Sequence, residues 1–472
     1  MTIPNGFRLP VSFYRGGTSK GLIRSTTVLA PYTRHVRDRL ICRAMGSPDP
    51  DKRQIDGLGG GISSLSKTAI VGPPNTALSA QLKNLGTSFE DGVDYADVEE
   101  LARDSETGWD LVYRFGQVPV ENGFQVDWTS TCGNLISAVA LFGLHQGYVD
   151  QSRISQVFEN MQGRQPLVGD SFSFPARLLV TCSGQIVRAN VPVTLYRNPE
   201  SASTQATWYP DIEGHTSISG VPGIAPGILI EAPLNSTDLL PTGNQIDTVT
   251  LDASTSYPVT IINAGLPTIF IASCSLSSVL DPAEFSSLSP NELDKNTSLM
   301  GLLDQVRNAS ANLTPWLQKT ISPSAPKICI VHPTPKGGYQ TTGGERVKAK
   351  DMDVLIRAIS VGNLHRTVPA TCLSALAAGR AFPNSTIERA VQEGRMDAKR
   401  EMRAEVAEAK EIVSIRVGQP AGVSEASVKV RPANHQEKRL GLESVPESIV
   451  YYRTARRIMQ GFVDVPHSFI SL

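Results

Sequence analysis

Apolar residues along this chain come mostly in short runs bounded by Gly, Pro or Asn, and that punctuation predicts strands. The clearest are LVYRFGQVPV (111–120), FQVDW (124–128), ARLLVTC (176–182), IVRANVPVTLY (186–196), GILIEAPL (227–234), YPVTIINAG (257–265), TIFIASC (268–274) and KICIVHP (327–333). Helical periodicity is expected over the run after Cys132, over 351–361 (DMDVLIRAISV) and over 369–380. Residues 387–411 read as a charged helix with a solvated face, and the polar, Pro/Ser/Thr-rich stretch 197–216 as a long loop or linker. Strands and helices in this order indicate an α+β protein rather than alternating βαβ units.

One internal echo stands out. Residues 131–139 read TCGNLISAV and residues 360–368 read SVGNLHRTV, with Gly-Asn-Leu where a helix is expected to begin. In the second copy Val361 replaces the cysteine, and Pro369 falls about two turns into the expected helix. Either the tripeptide recurs by chance or the chain holds two pseudo-equivalent domains, each aiming a helix N-terminus at a shared cleft.

At 472 residues the chain exceeds one ordinary core, so at least two domains are expected. The 44 Lys+Arg and 45 Asp+Glu nearly cancel, which disfavours nucleic acid or an anionic membrane as partner. No apolar run approaches the roughly 20 residues that span a bilayer. The N-terminus is Arg-rich, with no acidic residue before Asp38, which faintly suggests a mitochondrial presequence; a Gly-rich motif from Arg15 makes the cytoplasm the better expectation. Six cysteines without CxxC spacing suggest reduced thiols and no zinc site.

Three stretches could carry chemistry. In FYRGGTSKG (13–21), Thr18, Ser19 and Lys20 offer donors to a carboxylate, although a plain polar β-turn would read the same. In DGLGGGISSLSKTAIVGP (56–73), Gly60, Gly61, Ser64 and Ser66 supply N–H and O–H donors suited to an oxyanion. Lys67, between that loop and an apolar strand, is either a base that has lost solvation or an ordinary lysine at a strand start. In CGNL, Cys132 stands at the first turn of a helix, where the dipole and open N–H groups favour thiolate, while Gly133 leaves room for a ligand and Asn134 can cap or donate. A lone cysteine is equally familiar as a small core residue. Asn363 and His365, in the second Gly-Asn-Leu stretch, are further ligand candidates; Lys336 and Arg346 are weaker ones.

Together these pieces resemble the PrpF family of aconitate- and methylaconitate-type isomerases. The matching segments are RGGTSKG (15–21), GLGGGISSLSK (57–67), CGNLISAV (132–139), LPTGN (240–244), INAGLPTIF (262–270), VKAKDMDVLIRAISVGNLH (347–365) and RTARRIMQGFVDVP (453–466), in the family's order. The resemblance implies a diaminopimelate-epimerase-like fold: two pseudo-symmetric α+β domains, 1–225 and 226–443, each a curled sheet around a central helix, with 444–472 returning to the first. It maps the family's catalytic lysine onto Lys67 and its active-site cysteine onto Cys132. It further implies a cofactor-independent isomerase of an unsaturated di- or tricarboxylate such as aconitate or 2-methylaconitate, with no metal. A homodimer is compatible with an exposed sheet edge. Epimerases of this fold use a thiol from each domain; Val361 removes the second, which favours an allylic proton shift over a two-base epimerase. A non-catalytic accessory or carboxylate-binding protein of the same fold is the other rival. The run DWTST before Cys132 departs from the family, as do Pro369 and the 387–411 segment, and these departures bear on substrate identity.

Overall fold

The computed structural model describes residues 2–29, 31–73, 108–128, 131–182, 184–197, 205–218, 220–234, 238–321, 325–360, 363–397, 412–439 and 441–469. The architecture is α+β, and the chain divides into two units: Met1–Glu231 with Tyr452–Leu472, and Ala232–Tyr451.

In the first unit Gly6–Gly16 pairs antiparallel with the end of the final strand, Ser444–Pro466, and on its other side with Ser19–Ser25. Ser19–Ser25 runs parallel to Lys67–Gly72, which is antiparallel to Leu111–Gln117. That strand is parallel to Ser171–Val180, and antiparallel Gln185–Tyr196 and Thr207–Pro210 follow. Gly227–Pro233 pairs both with Gln185–Tyr196 and with the final strand, so the strands form a closed ring. Inside it lies the helix Gly133–His145, touching six of these strands. Its residues Leu135 to Gly143 are all buried, as a helix that is apolar all round requires. Each large side chain among them contributes roughly 1.5–3 kcal/mol by leaving water.

The opposite face of this sheet is covered by the helix Arg34–Met45, whose Ile41, Cys42, Ala44 and Met45 pack with Val11, Phe13, Leu22 and Ile70. The expected strand 124–128 is reduced to one bridge, Gln117 to Asp127. The buried Asp38 carboxylate draws the segment onto the helix instead, accepting from Val126 N and Trp128 Nε1, both at 3.0 Å. The expected loop 197–216 contains the strand Thr207–Pro210, whose Trp208 is buried.

In the second unit Asp247–Thr250, Ser256–Asn263 and Pro267–Ala272 form an antiparallel meander. Pro267–Ala272 runs parallel to Lys327–Pro333, which is antiparallel to Val354–Ser360. The next strands are parallel Ile412–Gln419, antiparallel Gly422–Pro432, and the start of the final strand. The helix Ala370–Arg380 packs on four of these strands with Cys372 to Gly379 buried. From Gly6–Gly16 in the first unit and from Ser256–Asn263 in the second, both units show antiparallel, parallel, antiparallel, parallel and antiparallel pairings in turn.

Four sequence expectations are corrected here. Residues 354–360 form a strand, not a helix: flanked on both edges and buried from Val354 to Ile359, the run has no polar face to betray its period. The second Gly-Asn-Leu does not open a helix, because Asn363–Leu364 folds back as a strand on Val354–Ser360. Pro369 therefore interrupts nothing; it is the N-cap of Ala370–Arg380, where a missing N–H is harmless. Within the 387–411 segment the helix is Thr386–Asp397, and it is amphipathic: Ile387, Ala390 and Val391 are buried and Glu388 is paired with Arg380. Residues 398–411 lie outside the described residues. No described helix is long and apolar enough to cross a membrane.

Candidate active site

The register of the first unit places several predicted residues on one face. Gly21 is paired with Lys67, and Lys67 with Gln117, so their side-chain positions face the same way. Ser19, two residues before Gly21, shares that face, which is the one turned to the helix Gly133–His145. Cys132 is the N-cap of that helix, with extended backbone, and its Sγ lies 3.9 Å from Ser19 Oγ. The thiol is partly accessible whereas Ser19 is 2% exposed.

The glycines of RGGTSKG make this approach possible. A Cβ on Gly16 would stand 2.6 Å from Asn134 O, and one on Gly17 would stand 2.5 Å from Asn134 Oδ1, so the first turn of the helix sits directly on the hairpin. Gly17 also has φ +52, which glycine adopts at no steric cost. A Cβ on Gly21 would be 2.6 Å from Lys67 O, so the lysine's strand is admitted equally closely. Asn134 clamps the junction: its Nδ2 donates to Thr18 Oγ1 at 3.2 Å and its Oδ1 accepts from Arg453 Nε at 2.7 Å. Lys20 points to the other face, its ammonium 5.8 Å from the Phe13 ring centroid.

The loop before Lys67 is organised by a residue the sequence reading missed, Gln54. Its Oε1 accepts from Gly61 N at 2.9 Å and Ser66 Oγ at 2.5 Å, and its Nε2 donates to Ser47 Oγ at 2.7 Å. Gly61 N and the fully buried Ser66 are thus engaged within the loop, whereas Gly60 and Ser64 remain partly accessible. A second glutamine, Gln117, holds the lysine. Lys67 Nζ donates to Gln117 Oε1 at 2.8 Å and lies 5.1 Å from the Phe115 ring centroid. Gln117 Nε2 donates back to Ser66 O at 2.9 Å and Ser63 O at 3.1 Å. Neither glutamine stands in a motif; only their register or turn position could have marked them.

Burial shapes the surroundings. Tyr113, two residues along from Phe115 and fully buried, has its phenol pKa raised by desolvation and then by the neighbouring Cys132. At the far end of the helix, burial first and the Arg457 charge second lower His145 to about 4, and its Nδ1 is 3.0 Å from Tyr14 Oη. Asn363 and His365 belong to the second unit. There His365 N donates to Ala358 O at 2.8 Å, and its imidazole is lowered to about 4 by burial and by the Lys327 charge. Arg346 donates to Gly337 O on an exposed loop of the same unit. Thr129 and Ser130 lie outside the described residues.

The fold and this face define a two-unit α+β protein whose first unit presents a lysine on the sheet face turned to a helix that a cysteine caps. The chain belongs to the PrpF family: the profile described as "PrpF protein" matches residues 6–79, 95–165 and 180–466. It is 28% identical over 478 residues to the 2-methyl-aconitate isomerase of Shewanella oneidensis, covering 98% of each chain. It is 25% identical over 468 residues to the 3-methylitaconate isomerase of Eubacterium barkeri, covering 97% of each. Among solved structures, a methylitaconate-delta-isomerase superposes with a TM-score of 0.63 at 23% identity, over 99% of this chain and 97% of that one.

Proposed function

We propose that this chain is an isomerase that shifts a proton along an allyl system in an unsaturated polycarboxylate of the aconitate or methylaconitate type. The observation that carries the reading is the Lys67–Gln117 pair on the same sheet face as Ser19, against the helix N-capped by Cys132. Its support from kinship is relatives named as 2-methyl-aconitate and 3-methylitaconate isomerases over nearly the whole chain.

In this reading neutral Lys67 takes a proton from the carbon γ to a conjugated carboxylate, giving an ammonium and a dienolate-like anion. Gly60, Ser64, Thr18 and the first N–H groups of the helix are donors for that charge. The proton returns at the other end of the allyl system from Lys67 or from the Cys132 thiol; in the second case the thiolate then recovers a proton from Lys67. Rotation about the former double bond gives a cis-trans product, and its absence a shifted double bond. Atoms and charge balance without a cofactor. We further propose that the two units are the pseudo-symmetric domains of a diaminopimelate-epimerase-like fold. Their shared order of strand pairings supports this reading. We place the protein in the cytoplasm, in keeping with six cysteines that carry no disulfide.

The test is proton NMR with cis-aconitate or 2-methylaconitate in deuterated water. Deuterium at the migrating position, with new isomer signals, is expected from the parent and not from Lys67→Ala. Exchange undiminished in Lys67→Ala would remove the lysine from the mechanism.

A further inference from the structure

We infer that Gln117 is a positioning residue that aims the Lys67 amine; the inference rests on the reading of Lys67 as the base. Every polar atom of the Gln117 side chain is engaged, and the engagements fix which way round the amide sits. Nε2 faces the carbonyls of Ser63, Ser66 and, at 3.4 Å, Val118; since carbonyls only accept, that atom must be the NH₂. Oε1 is therefore the atom turned to Lys67 Nζ at 2.8 Å. An amide oxygen takes an N–H from the lysine whether the amine is charged or neutral. In the neutral form this pins one N–H onto the glutamine, and the lone pair must point elsewhere. Without that acceptor the four-carbon stem is free to sample several rotamers, few of which suit proton abstraction.

The arrangement also ties the base to the loop that supplies the anion's donors. Gln117 holds the Ser66 carbonyl, the Ser66 hydroxyl is donated to Gln54, and Gln54 fixes Gly61 N. One hydrogen-bonded run thus connects Lys67 with the Gly-Ser loop, so base and donors keep a common frame.

The decisive substitution is Gln117→Glu, which keeps the shape and places a carboxylate where the amide oxygen was. A carboxylate beside an ammonium favours the charged form by about 1–3 pKa units. The experiment compares parent, Gln117→Glu, Gln117→Ala and Lys67→Ala by two readouts. The first is the pH dependence of acetylation of Lys67 by an amine-specific reagent, followed peptide by peptide in a mass spectrometer, which needs no substrate. In Gln117→Glu the labelling curve is expected to move up by at least one pH unit, a tenfold slower reaction at pH values below its midpoint. The second is the isomerase pH–rate profile, whose acidic limb should move with the labelling curve. Gln117→Ala should lower kcat more than tenfold with KM within about threefold. An unmoved labelling curve in folded Gln117→Glu would overturn the positioning role, even with activity reduced, since loss of loop support alone changes stability and not the titration. A moved curve alongside full activity in Lys67→Ala would leave the contact real and overturn the lysine's role as base, and with it the inference.

Discussion

The two units start from the same plan and place different chemistry on it. In each, a hairpin leads into a parallel pairing whose third strand opens with a lysine, Lys67 opposite Gly21 and Lys327 opposite Thr268. In each, one buried helix packs on the strands of its own unit. The first unit caps that helix with Cys132, whose thiol is partly accessible beside Ser19. The second caps it with Pro369, which has no group to donate; of its cysteines, Cys329 and Cys372 are completely buried and Cys274 is exposed. There burial comes first among the causes that raise the Cys329 thiol, with Cys372 as its immediate neighbour. The difference lies in what each unit puts at the cap of its helix: a partly accessible thiol in the first and a proline in the second.

The sharpest way to break the comparison is to remove each lysine. Lys67→Ala should lower isomerase turnover by about 10²–10⁴-fold, the usual worth of a positioned base, while Lys327→Ala should stay within about tenfold of the parent. Equal losses in steady-state rates would mean that the units share the proton chemistry. The cysteines come next. Iodoacetamide should alkylate Cys132 at least about a hundred times faster than Cys372, because attack requires an accessible thiolate. Comparable rates by peptide mass mapping would show that the helix cap gives Cys132 no advantage over a thiol inside the second unit's helix.

A smaller effect separates the two hairpin turns. Gly17 and Gly265 both have positive φ, +52 and +92. A Cβ on Gly17 would press on Asn134 Oδ1 and on Arg453, whereas one on Gly265 would meet nothing within 4 Å. Gly265→Ala should therefore cost only the backbone strain, about 1–2 kcal/mol. Gly17→Ala should cost about 1–3 kcal/mol more through overpacking and should lower activity by loosening the Asn134 clamp. Denaturant unfolding of the two variants measures the gap, and identical midpoints would show that the helix does not rest on the turn.

How far the sequence discloses this depends on whether a residue acts through a pattern or through a neighbour. Lys67 and Cys132 stand out because each follows a glycine- or polar-rich break and precedes an apolar run, so their places at a strand start and a helix cap can be read along the chain. Gln117 and Gln54 cannot be read that way, since their partners lie 50 residues away in the one case and across a loop in the other. The segment 354–360 misleads for a different reason: even its Arg357 is buried, 2% exposed over the Phe285 and Tyr339 rings, so the strand has no solvent face and its period does not show.

The mildest test concerns acid. His332 and His365 in the second unit, and His145 in the first, are each lowered from 6.5 to about 4, chiefly by burial. A histidine with a depressed folded pKa favours the folded state in its neutral form. Between pH 4 and 6.5 the unfolded chain takes up the proton while the folded chain does not, so stability falls as pH falls through that window. Above about 6.5 neither state is protonated and the contribution is complete. The second unit holds two such imidazoles against one, so its thermal transition should drop more steeply between pH 6.5 and 4.5 than that of the first. Scanning calorimetry follows both transitions, and the double substitution His332→Gln, His365→Gln should flatten the slope of the second alone. If the slope is unchanged in the folded double variant, acid acts through other groups, and the second unit's half-buried histidines are no more burdened than exposed ones.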